Sequence, residues 1–187
     1  MVEPLCKSIT LEEFLQLEET KPAREYIDGH IIQKPMPQGK HSAIQTELAA
    51  IINTALKPQK LGRAFAELRC TFGNRSIVPD IAVFSWQQIP RDQNGKIANA
   101  FAIAPNWIIE ILSPEQNQTR VTKNIVCSLQ YGTEMGWLID PAEQTIFVYV
   151  PDQQLQICDQ IDQQLPVPPF AEVLHLSLGT VFECLQL

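Results

Sequence analysis

Two acidic residues interrupt runs that are otherwise apolar. Ile77-Val78-Pro79-Asp80-Ile81-Ala82-Val83-Phe84 carries Asp80, and Trp107-Ile108-Ile109-Glu110-Ile111-Leu112 carries Glu110. A buried carboxylate is costly unless it is paired, hydrogen-bonded or bound to a metal. Both runs read as strands, and alternate residues of a strand share a face, so Ile108, Glu110 and Leu112 point one way. If Asp80 faces the same side of a neighbouring strand, the two carboxylates can ligate one hard cation such as magnesium. Such a cation polarises a phosphodiester and lowers the pKa of an attacking water. The same residues also fit a plainer arrangement, in which each acid ends a strand and is hydrogen-bonded or solvated.

The 187 residues suffice for one domain with a substantial core, and 45% hydrophobic with 19% charged residues is ordinary for a soluble protein. No apolar run is long enough to span a membrane. The start, Met1-Val2-Glu3-Pro4-Leu5-Cys6, lacks a basic region and an apolar stretch, so a cytoplasmic protein is expected. Cys6, Cys70, Cys127, Cys158 and Cys184 are scattered and form no CxxC pair, which argues against a zinc site or a disulfide framework. A net charge of -7 argues against a general nucleic-acid coat protein but leaves room for a nuclease with a local basic cleft.

The elements that must position these acids follow in order. Thr10-Leu11-Glu12-Glu13 is a capping box, opening a helix to about Glu19 with Leu11, Phe14 and Leu15 inward. Asp28-Gly29 lies between two apolar-containing runs, Arg24 to Ile27 and His30 to Gln33, and predicts a hairpin. Ile44, Leu48, Ile51, Ile52 and Leu56 define an amphipathic helix from His41 to Leu56, stopped by Lys57-Pro58. Alternation from Arg63 to Phe72 predicts one half-buried strand, and Gly73-Asn74 turns it into the Ile77 to Phe84 run. Pro79 cannot donate to a ladder, so pairing must break beside Asp80.

Residues 86–106 read as an excursion or flap. A strand at Trp107 to Leu112 is followed by a helix over 118–131 with Val121, Ile125, Val126 and Leu129 inward. Met135 to Ile139 and Thr145 to Val150 form a second hairpin around Asp140-Pro141. A peripheral extended tail over 152–169 and a short C-terminal helix complete an α/β core with a mixed sheet.

Several of these segments also carry a resemblance. Val78-Pro79-Asp80, Glu110-Ile111-Leu112-Ser113-Pro114, Gly136-Trp137-Leu138-Ile139-Asp140-Pro141, the Glu25-Tyr26-Ile27-Asp28-Gly29 hairpin and His41 resemble the Uma-type endonuclease family. That family belongs to the restriction-endonuclease-like PD-(D/E)xK superfamily, and the likeness spans roughly residues 10 to 185. It implies a restriction-endonuclease-like fold, a magnesium or manganese cofactor, phosphodiester hydrolysis with DNA as substrate, and a homodimer. Asp80 and Glu110 then match the metal-binding acids. The motif's lysine position is Leu112, and the family's lysine has moved into the following helix, which points to Lys123, with Arg120 as its substitute. Aligned without gaps, that lysine falls on Asn124. Glu25 and Glu67 are candidates for an additional acid of the site, and His41 for a phosphate contact at a helix N-terminus. Arg63, Arg69, Arg75 and Arg91 are candidates for a backbone-contact strip. Because Leu112 replaces the motif lysine, the alternative is an inactive nuclease fold kept as a nucleic-acid-binding or protein-interaction module.

Overall fold

The computed structural model describes residues 9–114 and 116–186; Cys6 lies outside them. The capping box forms as predicted: the Glu13 amide donates to Thr10 Oγ1 at 3.1 Å and the Thr10 amide to Glu13 Oε2 at 2.9 Å. The helix it opens, α1 (Leu11–Leu15), is shorter than expected. Five residues give it one fully inward position, taken by Phe14 against the Tyr26 ring, and Leu15 stays exposed. The hairpin β1 (Arg24–Ile27) and β2 (His30–Gln33) turns through Asp28 and Gly29, both at positive φ (50° and 85°). That is the backbone an Asp-Gly pair permits in a two-residue turn.

The predicted strand from Arg63 to Phe72 divides. β3 (Gly62–Ala66) and β4 (Cys70–Phe72) belong to different sheets, because Glu67 adopts φ 49° and turns the chain. The run after the Gly73-Asn74 turn divides in the same way. β5 (Arg75–Ile77) stays with the small sheet, in the order β2-β1-β5-β4. β6 (Ile81–Ser85) crosses to the large one, ordered β10-β9-β8-β7-β6-β3. The residues between, Val78-Pro79-Asp80, are unpaired, as the missing proline donor requires.

In the large sheet, β7 (Trp107–Ile111) pairs antiparallel with β6 and parallel with β8 (Met135–Asp140), and β9 (Thr145–Tyr149) and β10 (Gln156–Cys158) extend it. The parallel pair requires a crossover, supplied by α3 (Gln118–Gln130). Alternate strand residues sort into two cores. Ile81, Val83, Ile109 and Trp137 face α2 (Gly39–Leu56) and α4 (Leu178–Glu183), while Ala82, Phe84, Ile108 and Leu138 face α3 and the small sheet. On α3 the inward positions are Val121, Asn124, Ile125 and Ser128; Val126 is exposed, contrary to expectation. The tail over 152–169 is less peripheral than its glutamines suggest. Cys158 and Leu165 are buried, and the Trp137 indole donates to the Pro166 carbonyl at 3.1 Å.

At Gly136 of β8, α3 approaches the sheet closely. A Cβ placed there would fall within the Ile125 side chain and lie 3.3 Å from Ile108. Gly136→Ala is therefore expected to destabilise the fold by about 1–3 kcal/mol through overpacking, read as a lower urea midpoint with an unchanged slope.

Candidate functional site

Asp80 and Glu110 meet because of the β6–β7 register. Ile81 pairs with Ile109, so one step further along the antiparallel ladder brings Asp80 opposite Glu110, on the face that carries Ile108. Pro79 has already released the chain from pairing, which leaves the Asp80 side chain at the mouth of the sheet. Both acids are nearly inaccessible, at 1% and 2% exposure. Asp80 Oδ2 accepts the Ile111 amide at 2.7 Å and lies 3.0 Å from His41 Nε2. Gln45, one turn after His41 on α2, donates to the Asp80 carbonyl at 2.8 Å.

A cation stands between them, and it is Lys34. Its Nζ donates to Asp80 Oδ1 and to the Val78 carbonyl, each at 2.7 Å, and lies 3.7 Å from Glu110 Oε2. Glu25 completes the group. Its Oε1 accepts the Val78 amide at 2.8 Å, and its Oε2 lies 3.5 Å from Asn124 Nδ2. The hairpin brings Glu25 and Lys34 together: Glu25 pairs with Ile32, and Lys34 follows two residues later on the same side.

One ammonium among three buried carboxylates sets the electrostatics. Burial opposes ionisation of Asp80, but Lys34 and His41 outweigh it and hold its carboxyl well below the usual range. Burial pushes the Glu110 carboxyl well up; Lys34 pulls it back only in part, and the Asp80 and Glu25 charges add to the rise. Glu25 is raised for the same leading reason, with Lys34 and the Val78 amide opposing. Burial alone would favour neutral Lys34, yet Asp80, Glu110 and Glu25 together keep it firmly an ammonium. The Asp80–Lys34 pair is thus the settled ion pair, and Glu110 is the surplus acid.

Of the predicted site residues, Asp80, Glu110, Glu25 and His41 come together. Lys123, Arg120 and Glu67 do not join them. Lys123 and Arg120 lie on the solvent side of α3, and neither side chain has a hydrogen-bond or ion-pair partner among the described residues. The inward place on that helix belongs to Asn124. Glu67 sits exposed at the β3–β4 break, where its amide donates to the Asp80 carbonyl at 3.2 Å and its side chain only borders the cleft. Arg69 and Arg75 are held by Glu19 and Asp28 at 2.7 Å each, so they form no free phosphate strip. Lys34 escaped the sequence reading because it stands 46 positions from Asp80. The signal that pointed to it was the two-residue hairpin, whose register sets Lys34 diagonal to Glu25.

Asp80, Lys34 and His41 floor a cleft of about 410 Å3, whose walls include Pro22, Pro35, Met36, Pro37 and Gln116, while Glu110 and Glu25 lie behind them, outside its lining. None of residues 86–106 lines it, so that excursion is no flap over the site. Among the described residues no three or more His, Cys, Asp or Glu side chains form a metal-holding cluster. The donor set is instead two carboxylates. That set fits a magnesium-type cation, which keeps several waters and takes one or two carboxylates plus substrate phosphate. The Lys34 ammonium on the same two carboxylates shows that the position attracts positive charge. His41 Nδ1 and Asn124 Oδ1 are buried beside it without a hydrogen-bond partner among the described residues, an under-satisfaction typical of functional centres.

This mixed sheet, flanked by helices and with two acids opposed at the mouth of adjacent strands, is the restriction-endonuclease-like architecture. The Uma2 family, described as "Putative restriction endonuclease", matches residues 11–179, and the chain belongs to that family. A crystal structure from Anabaena variabilis ATCC 29413, described as "a putative nuclease belonging to DUF820", is 63% identical and superposes with a TM-score of 0.93. The match covers 95% of this chain and 99% of that one. No curated protein matches the chain. Among the described residues no helix is long and apolar enough to cross a membrane.

Proposed function

We propose that the protein is a metal-dependent nuclease that hydrolyses phosphodiester bonds, with DNA as substrate and magnesium or manganese held by Asp80 and Glu110. The observation that carries this reading is the pair of buried carboxylates facing each other across β6 and β7 beneath the cleft, with a cation already on them. The family match and the Anabaena variabilis structure support a nuclease role. When bound, the metal would polarise the phosphodiester and lower the pKa of the attacking water.

The chain's own residues supply the rest. His41 and the Ile111 amide fix the Asp80 carboxylate through Oδ2, so Oδ1, which accepts from Lys34, is aimed rather than mobile. Glu25 holds the Val78 amide and thereby the strandless turn that carries Asp80. Lys34 is kept protonated, so its part is that of a donor and not a base. From the cleft floor it can hold a non-bridging phosphate oxygen as negative charge develops there. Water attacks phosphorus and gives up a proton to solvent as the new P–O bond forms, the bond to the leaving sugar oxygen breaks, and that oxygen takes up a proton from solvent. The ammonium of Lys34 also supplies the positive charge missing at Leu112, which was the ground for a binding-only module.

The test is cleavage of plasmid and oligonucleotide DNA with magnesium or manganese, against Lys34→Met and Lys123→Ala. Lys34→Met is expected to lower the rate on the order of 100-fold to 1,000-fold, as for loss of a charge-stabilising donor. Lys123→Ala should leave it unchanged. The reverse ranking would return the role to α3, and undiminished cleavage by Asp80→Asn would sink the two-carboxylate reading.

A further inference from the structure

A second concavity, of about 450 Å3, lies at the other end of β6. Asp80 precedes that strand and Trp86 follows it, so at about 3.3 Å per residue the two lie roughly 20 Å apart. The concavity is lined by Lys60, Arg63, Arg91 and Lys96, with Trp86 and Ile89 among its apolar residues and no acid in its wall. In a chain with 21 acidic against 14 basic residues, four cations around one hollow are a marked local reversal of sign. None of the four makes an ion pair with a described residue, unlike Lys34, Arg69 and Arg75. Arg63 instead lies over the Phe65 ring, 5.2 Å from its centroid.

The loop that presents two of the cations is built rather than loose. Arg91 and Ile97 form an antiparallel bridge, and the Asp92 carboxylate accepts the Asn94 and Lys96 amides at 2.8 and 2.9 Å. Asp92 thus ties down its own turn through Oδ1, and Gly95 completes that turn at φ 72°. Trp86 is half-buried between these cations, whereas Trp107 and Trp137 are fully buried.

We propose that this concavity is a nucleic-acid contact separate from the Asp80 centre, taking a single-stranded segment. Its phosphates lie on the four cations and one base lies against Trp86. Cations spaced around an aromatic face are what an unpaired strand needs, since its backbone demands charge and its bases offer π faces. An acidic peptide would satisfy the cations and leave the indole without purpose. A paired duplex would keep its bases from it. About six stacked nucleotides, at 3.4 Å each, span the distance between the two sites.

The contact is independent of hydrolysis and is tested without metal. The intact protein in EDTA is titrated with an oligodeoxythymidylate of about 16 residues, following tryptophan fluorescence. Because the other two indoles are sealed in the core, quenching reports Trp86, and Trp86→Phe is expected to remove the signal. Arg91→Ala with Lys96→Ala, both exposed and remote from the core, should weaken binding at least tenfold. The same pair should flatten the salt dependence by about 1.4 in logarithmic slope, about 0.7 for each lost phosphate contact. Absence of quenching, an unchanged slope in the double variant, or equal binding of polyglutamate would each overturn the proposal. Quenching without any metal-dependent cleavage would leave this contact standing and remove only the nuclease reading.

Discussion

Asp80→Ala is expected to destabilise the fold at neutral pH by about 3 kcal/mol, the lower end of the range for breaking a buried ion pair, and to abolish metal binding. The variant removes the carboxylate that serves Lys34, the Ile111 amide and His41 together. The loss falls at the lower end because Glu110 lies 3.7 Å from the same ammonium and can ionise once Asp80 is gone. The pH dependence has a definite sign. Asp80 has a folded pKa below its unfolded value, so the stability it contributes is present above the unfolded pKa, about 3.9, and is lost as pH falls toward the folded one. Urea unfolding at neutral pH and again below about pH 4 therefore checks the origin of the effect. The gap between wild type and variant should narrow in acid. A gap that stays constant with pH would assign the loss to packing instead.

Glu110→Gln is expected to act in the opposite direction on stability while equally removing metal binding. Glu110 has a folded pKa above its unfolded value, so the folded state retains a proton that the unfolded chain has already released. Stability is then highest below the unfolded pKa, about 4.3, and declines as pH rises through the folded pKa. Each unit of that elevation costs about 1.4 kcal/mol above the folded pKa. Glutamine reproduces the protonated shape without titrating. The variant should melt near the wild type in acid and above it at alkaline pH, with a shallower decline that Glu25 still contributes. Thermal melts across the pH range measure this, and calorimetry with manganese measures the binding. A variant that melts below the wild type at alkaline pH would make Glu110 an ionised partner of Lys34 and refute the surplus-acid account. Opposite stability effects from two acids that share one cation would distinguish a functional centre from a merely structural ion pair.

Much of this arrangement is written locally. The Thr10 capping box, the Asp28-Gly29 turn, the stripe from Ile44 to Leu56 and the break at Pro79 all depend on neighbours a few residues away. Each appears in the fold where the local pattern places it. The same holds for the two acids, because an ionisable side chain inside an apolar run is conspicuous wherever the run ends up. The errors have an equally physical pattern. The stretch from Arg63 to Phe72 alternates like one strand, but a single left-handed residue, Glu67, sends its halves to different sheets. On α3, Val126 looks like core by composition, yet the inward polar positions go to Asn124, beside Glu25, and to Ser128, whose hydroxyl donates to the Asn124 carbonyl.

By itself, then, the amino-acid sequence determined the α/β class, the family resemblance and the identity of the two opposed carboxylates. Those follow from periodicity, turn chemistry and the cost of burying charge, all of which act over short stretches. Only the tertiary structure decided which cation stands among the acids, and which basic residues are committed elsewhere. Lys123 lies 13 residues from Glu110 and faces solvent, whereas Lys34 lies 76 residues away and touches the pair. The reason is that a lysine side chain reaches its partner through space. Its position there depends on the hairpin crossing beside β6, a packing outcome that no short window of residues contains.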